Sequence, residues 1–296
     1  MVALVVVMRQ SSHNERHDKT EYRIVNQSIK IPVASQPRPS ASIILLREGE
    51  QDVELFVVRR NQQMRFAPGA TAFPGGALDR QDIEFAKKLD ADDPLLPYRI
   101  NAIRELFEET GLLLASDRTG NFLSAAETAV LSHYRKALVD DLLSFEQFVS
   151  QEQLVLEIDS LVHFARWVAP AVVKPRFETD FFLALEPGDQ QGQYDPGELD
   201  AAYWSPLGML MQQLQQGEIN MVFPTEMNCL RLMQHSTVEQ LMSELAQPAP
   251  VIRTVAEETP EGIFLCTPPE AGVGEQRRKF QGARVSGQKS DTDKTT

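Results

Sequence analysis

A short segment of the chain, "RELFEETG" at residues 104–111, concentrates carboxylates. Its three glutamates lie within five residues of one another: Glu105, Glu108 and Glu109. On a helix with about 100° per residue they share one face, and the apolar residues of the segment point to the opposite side. Carboxylate oxygens are hard ligands that favour Mg²⁺ or Mn²⁺. The spacing therefore predicts a helix face that holds divalent cations.

A solvated helix face is the alternative interpretation, with Arg104 and Glu108 paired one turn apart. Glu105 and Glu109 are also one turn apart, where like charges cost roughly 0.2–0.5 kcal/mol. They lie near the C-terminal end of the predicted helix, where the helix dipole disfavours anions. A bound cation would remove both penalties, and periodicity alone leaves the two interpretations open.

Upstream of this segment, "AFPGG" ends a predicted short strand in Gly75 and Gly76, where the backbone can be approached closely. Together, "FPGG" and "RELFEETGL" resemble the box of the Nudix hydrolase family, G-x5-E-x7-R-E-U-x-E-E-x-G-U, in which U is a bulky aliphatic residue. The second half of the box is matched at every specified position: Arg104, Glu105, Leu106, Glu108, Glu109, Gly111 and Leu112. The resemblance implies an α/β fold, a Nudix-type α/β/α sandwich with a mixed sheet, a loop insertion inside the box and extra helices.

The first half of the box departs from the family pattern. Gly76 and Arg104 are 28 residues apart, whereas the pattern places them 14 apart, so an insertion must loop out before the helix. Asp82 stands at the position of the first box glutamate, and Glu84 is close by. Whether Asp82, Glu84 or neither replaces that glutamate stays open.

The resemblance implies hydrolysis of a nucleoside diphosphate linked to another group, with Mg²⁺ or Mn²⁺ as cofactor. Glu105, Glu108 and Glu109 would ligate the metal, and Glu105 and Arg104 would be catalytic, Arg104 by orienting a glutamate. The backbone of Gly75 and Gly76 would lie near the substrate. A later loop often supplies a further acid in this family. In "DPGELDAAYWSP" that acid would be Glu198, with Asp200 second, and a solvated loop acid is the alternative for both.

The segment "FVVRRNQQMRFAPGATAFPGG" resembles the pattern R-[SA]-x3-R-x3-G-x3-F-P-G-G, which precedes the box in the coenzyme A diphosphatase branch of the family. Arg60, Arg65 and Gly69 match it, and Asn61 departs from it. Coenzyme A carries a 3'-phosphate besides its diphosphate, so Arg60 and Arg65 would bind substrate. Ordinary surface cations are the alternative interpretation. Over roughly 40–235 the chain resembles the subgroup that contains the mammalian peroxisomal enzyme.

The expected reaction is therefore the cleavage of coenzyme A or acyl-coenzyme A to 3',5'-ADP and (acyl-)4'-phosphopantetheine. One alternative keeps the chemistry and changes the substrate to ADP-ribose, NADH, another dinucleotide or a nucleotide sugar. A further alternative is a Nudix-fold binding module without turnover. Such modules usually lose box carboxylates, and the three helix glutamates are all present here.

The elements that must position these residues can be placed along the chain. We expect an N-terminal extension at 1–36, a Nudix domain at 37–250, a C-terminal extension at 251–274 and a disordered tail at 275–296. The predicted strands are 40–48, 53–60, 71–73, 111–115, 163–170, 178–187 and 201–206. The predicted helices are 98–110 with Gly111 as cap, 124–139, 144–152, 207–217 and 225–236, with Thr225 as the cap of the last. Residues 77–98 are expected to form a loop or short helix.

Charge and composition limit the partners. A net charge of -13 argues against a general nucleic-acid binder, since phosphate backbones attract basic surfaces. No segment approaches the roughly 20 apolar residues of a membrane span. Cys229 and Cys266 form neither a metal pattern nor a disulfide framework, and the final "KTT" is not the S-K-L peroxisomal signal. We therefore expect a cytoplasmic protein with a small nucleotide substrate, and a homodimer is left open.

Overall fold

The computed structural model describes residues 35–50, 52–64, 66–90, 92–194, 197–244 and 248–281. The predicted N-terminal extension, 1–36, lies outside the described residues except for its last two. Residues 282–296 of the predicted tail lie outside them as well. Within these ranges, no helix is both long enough and apolar enough to cross a lipid bilayer.

Thirteen strands are present in the described part of the chain. They are β1 Arg38–Glu48, β2 Val53–Arg60, β3 Thr71–Ala72, β4 Gly75–Ala77, β5 Ala115–Ser116, β6 Val155–Leu156, β7 Val162–Val168, β8 Phe177–Leu185, β9 Leu199–Pro206, β10 Val251–Arg253, β11 Val255–Thr259, β12 Gly262–Cys266 and β13 Arg277–Lys279. The same residues contain eight α-helices. They are α1 Arg80–Leu89, α2 Leu96–Thr110, α3 Ala125–Leu131, α4 Arg135–Val139, α5 Phe145–Gln151, α6 Leu207–Gln216, α7 Phe223–Leu232 and α8 Val238–Glu244.

Eight of the strands form one mixed sheet. Its main order is β10-β7-β8-β1-β2-β3, with β4 added beside β1 and β9 beside β2. The pairs β1–β8 and β7–β10 are parallel, and the other pairs are antiparallel. The central strand β1 is buried on both faces, as its run of apolar residues predicts. The sheet thus has no solvent-facing side at its centre.

Helices cover both faces of this sheet. Alternate residues of β1 separate two cores, because successive side chains of a strand point to opposite faces. Ile43 and Leu45 pack with residues of α1–α5, and Ile44 and Leu46 pack with residues of α6–α8. This arrangement is an α/β/α sandwich with a mixed sheet, so the predicted fold class is confirmed.

The helix α2 carries the predicted chemistry and is firmly anchored. It begins with a proline in its first turn and ends at Gly111, whose φ of 73° is the left-handed conformation that a glycine adopts without strain. Ile103, Leu106 and Phe107 are fully buried against the sheet. The predicted range, 98–110, was two residues short at the start.

Three predicted elements differ from the structure, and the first is the helix expected at 124–139, which is divided into α3 and α4. The expected strand at 111–115 is limited to β5, because the Gln190 side chain bonds the backbone of Leu113 in place of a strand partner: Leu113 N–H donates to Oε1 at 2.9 Å, and Nε2 donates to Leu113 O at 3.0 Å. The last predicted helix begins at Phe223 rather than after a Thr225 cap. Its proline lies in the first turn, where no backbone donor is needed.

The domain boundaries near the C-terminus also differ. β10 pairs with β7, so the main sheet continues past residue 250 to Arg253. The segment 275–296, predicted to be a disordered tail, begins with β13, which pairs with β12 in a separate three-stranded sheet. The Arg278 side chain anchors this strand by donating from Nε to the nearly buried Glu226 at 2.8 Å.

Candidate active site

The three glutamates of α2 lie on one face of the helix and line the same pocket. Glu109 is 5% exposed, and the side chains of Glu105 and Glu108 are 16% and 11% exposed. Other lining residues come from β4, from the start of α1 and from the turn after α4: Ala77, Asp79, Gln81, Leu138, Val139 and Asp141. The carboxylates therefore meet in a confined space rather than on an open helix face.

The diglycine of β4 lies directly against these carboxylates. Gly75 N–H donates to Glu109 Oε2 at 3.1 Å. A Cβ atom at Gly76 would lie 2.5 Å from the Glu105 carboxylate, and one at Gly75 would lie 2.3 Å from Ala41 O. Gly75, whose φ is 154°, thus requires glycine, and a side chain at Gly76 would displace the Glu105 carboxylate. The close approach that the sequence predicted between this turn and the acidic helix face is present.

Arg104 is held by Asp82 inside the protein. Its Nε and Nη2 donate to the two oxygens of Asp82 at 2.9 and 3.0 Å, and the side chains are only 6% and 0% exposed. Arg104 Nη1 also lies 3.0 Å from a carboxylate oxygen of Glu105 and of Glu108. Burial alone would lower the pKa of Arg104, but the Asp82 hydrogen bonds and the three carboxylate charges raise it further than burial lowers it.

Of the two acids in the first half of the box, Asp82 is the one that contacts Arg104. It lies at the third position of α1 and accepts a hydrogen bond from Asp79 N–H at 2.9 Å, which completes the cap of that helix. Glu84 instead makes an exposed ion pair with Arg80. The extra residues of the box lie between Asp82 and Arg104, and the packing of α1 against α2 brings this acid to the arginine.

Burial and mutual repulsion make the carboxyl groups of this pocket poor anions. Burial raises the pKa of Glu108 to about 8, although Arg104 opposes the shift. Burial also raises the pKa of Glu105, with Arg104 lowering it and Asp82 and Glu198 adding to the rise. The pKa of Glu109 is raised well above its ordinary value by burial and then by the charge of Glu105, against the Gly75 hydrogen bond. The pocket thus concentrates more negative charge than its own cations neutralise.

This donor set fits a hard divalent cation. Oxygen atoms of Glu105, Glu108 and Glu109 are the ligands that Mg²⁺ and Mn²⁺ prefer, and a cation would relieve the repulsion that raises their pKa values. In the described residues the carboxylates are bonded to Arg104 and Gly75, and no three His, Cys, Asp or Glu side chains surround a common point as metal ligands do. The pocket therefore fits a divalent cation by the type of its oxygen ligands, and the structure does not show these ligands arranged around a metal position.

Residues from other strands reach the same place. β9 runs antiparallel to β2, with Leu199 opposite Arg60, so Glu198 enters beside the end of β2. Glu198 lines the pocket, and its charge contributes to the raised pKa values of Glu105 and Glu109. The charge of Arg60 lowers the pKa of Glu109, so Arg60 lies near this carboxylate. Its Nε donates to Phe66 O at 3.3 Å, and Arg60 is not among the residues that line the pocket.

Two other predicted residues are not placed in this pocket. Arg65 lies outside the described residues. Asp200, the second choice after Glu198, does not contribute to the pocket lining. The roles of Glu198, Arg60 and Arg65 stay predictions.

Two contributions to the pocket were missed at the sequence level. The buried Asn101 of α2 bonds β4, and its only signal in the sequence is a polar residue in the middle of a helix, where asparagine is disfavoured. The end of α4 and the turn after it supply Val139 and Asp141, which form one wall of the pocket. Asp141 has a φ of 55°, which a non-glycine residue seldom adopts. No sequence signal connects this turn with the glutamates.

Comparison with known proteins adds a family. Residues 84–232, about half of the chain, match the family described as the NUDT19 Nudix domain. The chain is 31% identical over 153 residues to a protein of Caenorhabditis elegans named putative nudix hydrolase 7, which covers 52% of this chain and 46% of that one. It is 26% identical over 246 residues to a Gallus gallus protein named acyl-coenzyme A diphosphatase NUDT19, covering 65% and 64%. The chain thus spans about half to two thirds of the length of these relatives.

A solved structure also resembles the fold. The Nudix hydrolase from Alicyclobacillus acidocaldarius superposes with a TM-score of 0.59 at 33% sequence identity. The match covers 70% of this chain and 96% of that one. Nearly the whole of the smaller protein is therefore contained in the fold described above.

Proposed function

The chain belongs to the Nudix family, in the group described by the NUDT19 Nudix domain, and from this membership we propose that it is a metal-dependent diphosphatase. Its substrate would be coenzyme A or acyl-coenzyme A. Water would cleave the phosphoanhydride bond, and the products would be 3',5'-ADP and 4'-phosphopantetheine or its acyl form.

One observation carries this proposal: three carboxylates of α2 meet the backbone of a diglycine turn in a confined pocket. Hydrolysis of a diphosphate requires neutralisation of charge on its non-bridging oxygens and a positioned water. Carboxylates can hold the cations for the first task. The missing side chains at Gly75 and Gly76 let this backbone lie directly against β1 and against the Glu105 carboxylate.

The acidic residues and the arginine of the pocket have distinct roles in this proposal. Glu105, Glu108 and Glu109 would hold Mg²⁺ or Mn²⁺, which supplies charge neutralisation and a more acidic water when bound. Arg104, itself fixed by Asp82, orients the carboxylates of its neighbours through charge-assisted hydrogen bonds. Glu198 would accept the proton of the attacking water at its carboxylate.

The choice of coenzyme A rests on two supports. Relatives of this chain are named acyl-coenzyme A diphosphatase, and Arg60 lies at the end of β2, close enough for its charge to lower the pKa of Glu109. An arginine at this place can bind the 3'-phosphate or the diphosphate. The 3'-phosphate distinguishes coenzyme A from ADP-ribose, NADH and nucleotide sugars. The substrate test therefore compares coenzyme A with its 3'-dephospho form.

The test is turnover of a substrate panel with Mn²⁺ and identification of the products. We expect coenzyme A to be cleaved with a higher kcat/KM than 3'-dephospho-coenzyme A, ADP-ribose or NADH. Arg60→Ala should reduce kcat/KM for coenzyme A roughly tenfold or more, because charged hydrogen bonds contribute about 1.5–3 kcal/mol. The neighbouring exposed Arg59→Ala serves as the matched control. Equal values of kcat/KM for coenzyme A and its dephospho form would refute the coenzyme A assignment. Absence of turnover with every diphosphate of the panel would refute the proposal that the protein is a diphosphatase.

Two further expectations stay predictions. We propose a cytoplasmic location, which microscopy of the tagged full chain would test. A homodimer is left open, and sedimentation of the purified chain would decide the oligomeric state. Neither expectation enters the argument about the site.

A further inference from the structure

Asn101 is a fully buried polar residue in the middle of α2, one turn before the catalytic segment. Asparagine is disfavoured inside helices, because its side chain competes for backbone hydrogen bonds. Buried amides are costly unless they are hydrogen-bonded. Its presence therefore calls for partners, and the structure provides three.

The first two partners are backbone groups of neighbouring strands. Asn101 Oδ1 accepts a hydrogen bond from Ala41 N–H of β1 at 3.0 Å, and Asn101 Nδ2 donates to Ala77 O of β4 at 3.0 Å. β4 consists of Gly75, Gly76 and Ala77 and pairs antiparallel with β1. One side chain of the catalytic helix thus ties the diglycine strand and the central strand together.

The third partner links the same amide to the arginine of the site. Asn101 Nδ2 also lies 3.3 Å from Asp82 Oδ2, the oxygen that accepts from Arg104 Nη2. Arg104 in turn bonds Glu105 and Glu108. The amide is therefore connected to both halves of the pocket, the diglycine backbone on one side and the carboxylates on the other.

We infer that Asn101 is a positioning residue, which sets the separation between the diglycine backbone and the carboxylates of α2. The inference rests on the proposed hydrolysis, because the positions concern a diphosphate held between these two elements. Misplacement of reacting groups by about 1 Å can cost about 100-fold in rate. β4 is three residues long and pairs with β1, and the Asn101 amide bonds both of these strands to α2.

The chain offers a matched control in Asn228. This residue is also an asparagine with 0% exposure inside a helix, α7, and its Oδ1 accepts from Trp167 Nε1 at 2.8 Å. It belongs to the core on the opposite side of the sheet, among residues of α6–α8. Truncation there removes a buried amide of the same kind without touching the pocket.

The experiment compares Asn101→Ala and Asn228→Ala with the unaltered chain, each at a temperature where it is folded. Asn101→Ala should lower kcat roughly 10- to 100-fold with little change in KM, and hydrogen exchange should accelerate at the amides of 75–78. Asn228→Ala should leave both quantities unchanged. Asn101→Asp, which keeps the acceptor and the size but loses the donor to Ala77 and Asp82, serves as the second variant and should show the same two effects.

The outcomes separate the two proposals. Unchanged kcat in folded Asn101→Ala or Asn101→Asp overturns the positioning role, as does unchanged exchange at 75–78. An equal fall of kcat in Asn228→Ala also overturns it, because the effect would then be a general loss of packing. Absence of any diphosphate turnover in the unaltered chain overturns the proposed function instead, and the exchange measurement still decides whether Asn101 holds β4.

Discussion

Replacement of the buried Asp82 by asparagine tests whether this residue, rather than the exposed Glu84, is the acid that holds Arg104. Asp82 and Glu84 are two residues apart on α1, and the box pattern alone did not choose between them. In the structure Asp82 accepts two hydrogen bonds from Arg104, at 2.9 and 3.0 Å. Glu84 pairs with Arg80 in an exposed i,i+4 contact. Asp82→Asn and Glu84→Gln therefore remove one carboxylate each, in opposite environments.

The expected magnitudes follow from burial. Breaking a buried ion pair by changing one partner costs about 3–5 kcal/mol, because the other charge stays buried without compensation. Arg104 keeps Glu105 and Glu108 as neighbours, so we expect the lower end, about 3 kcal/mol. The pair of Glu84 and Arg80, whose side chains are 53% and 88% exposed, is expected to contribute less than about 0.5 kcal/mol.

Urea unfolding followed by tryptophan fluorescence measures both changes, with the slope of the transition checked for two-state behaviour. Turnover is measured on the same samples. Asp82→Asn should also lower kcat, since Arg104 no longer has a fixed orientation, whereas Glu84→Gln should leave kcat unchanged. Similar losses of stability in the two variants, or a larger loss in Glu84→Gln, would refute the assignment of Asp82 as the acid that holds Arg104.

Three other predictions concern charge and backbone conformation. Glu108→Gln should abolish turnover, and the metal-free protein should stay folded and gain stability near pH 7, because the folded state no longer has to take up a proton at this buried carboxyl group. Retained activity in an assay with Mn²⁺ would contradict the metal assignment. In EDTA, the folded state of the unaltered chain holds a proton on Glu108 up to a pKa of about 8, and the unfolded state releases it near the ordinary glutamate pKa of 4.5. The contribution of this group to stability is therefore greatest below about pH 4.5 and falls as the pH rises towards 8. Urea midpoints measured between pH 5 and pH 9 should fall in the unaltered chain relative to Glu108→Gln. A rise of the midpoint in the unaltered chain relative to this variant would contradict the prediction. Gln153 follows α5 with a φ of 58°, and Gln153→Gly should raise the free energy of unfolding by roughly 0.5–1 kcal/mol. The left-handed conformation costs residues other than glycine about 1–2 kcal/mol, and the freedom of glycine in the unfolded chain offsets part of the gain. An unchanged or lower melting temperature would count against this reasoning.

The parts of the fold with strong periodic patterns were predictable from the sequence. β1 and β2 are short apolar runs around a turn, and α2 combines a buried apolar face with the Gly111 cap. The shared face of the three glutamates follows from helical geometry alone. The prediction that this face meets the diglycine came from the resemblance to the box, and the structure places the two elements in hydrogen-bonding contact.

The remaining features depend on contacts that no local pattern encodes. Asp82 reaches Arg104 across 22 positions, and only the packing of α1 against α2 shows which of the two acids bonds the arginine. Gln190 replaces a strand partner for Leu113 across 77 positions, so the apolar run at 111–115 resembles a strand but is mostly a buried connection. Asn101 acquires its role only through neighbours on β1 and β4. Such residues can be recognised once the fold is known.

The central claim, that the glutamates of α2 hold divalent cations against the diglycine turn, is tested most directly by anomalous diffraction from crystals grown with Mn²⁺. We predict manganese peaks within ligand distance of Glu105, Glu108 and Glu109, facing Gly75 and Gly76. Manganese bound at another part of the chain, with these three carboxylates free of metal at saturating Mn²⁺, would contradict the account.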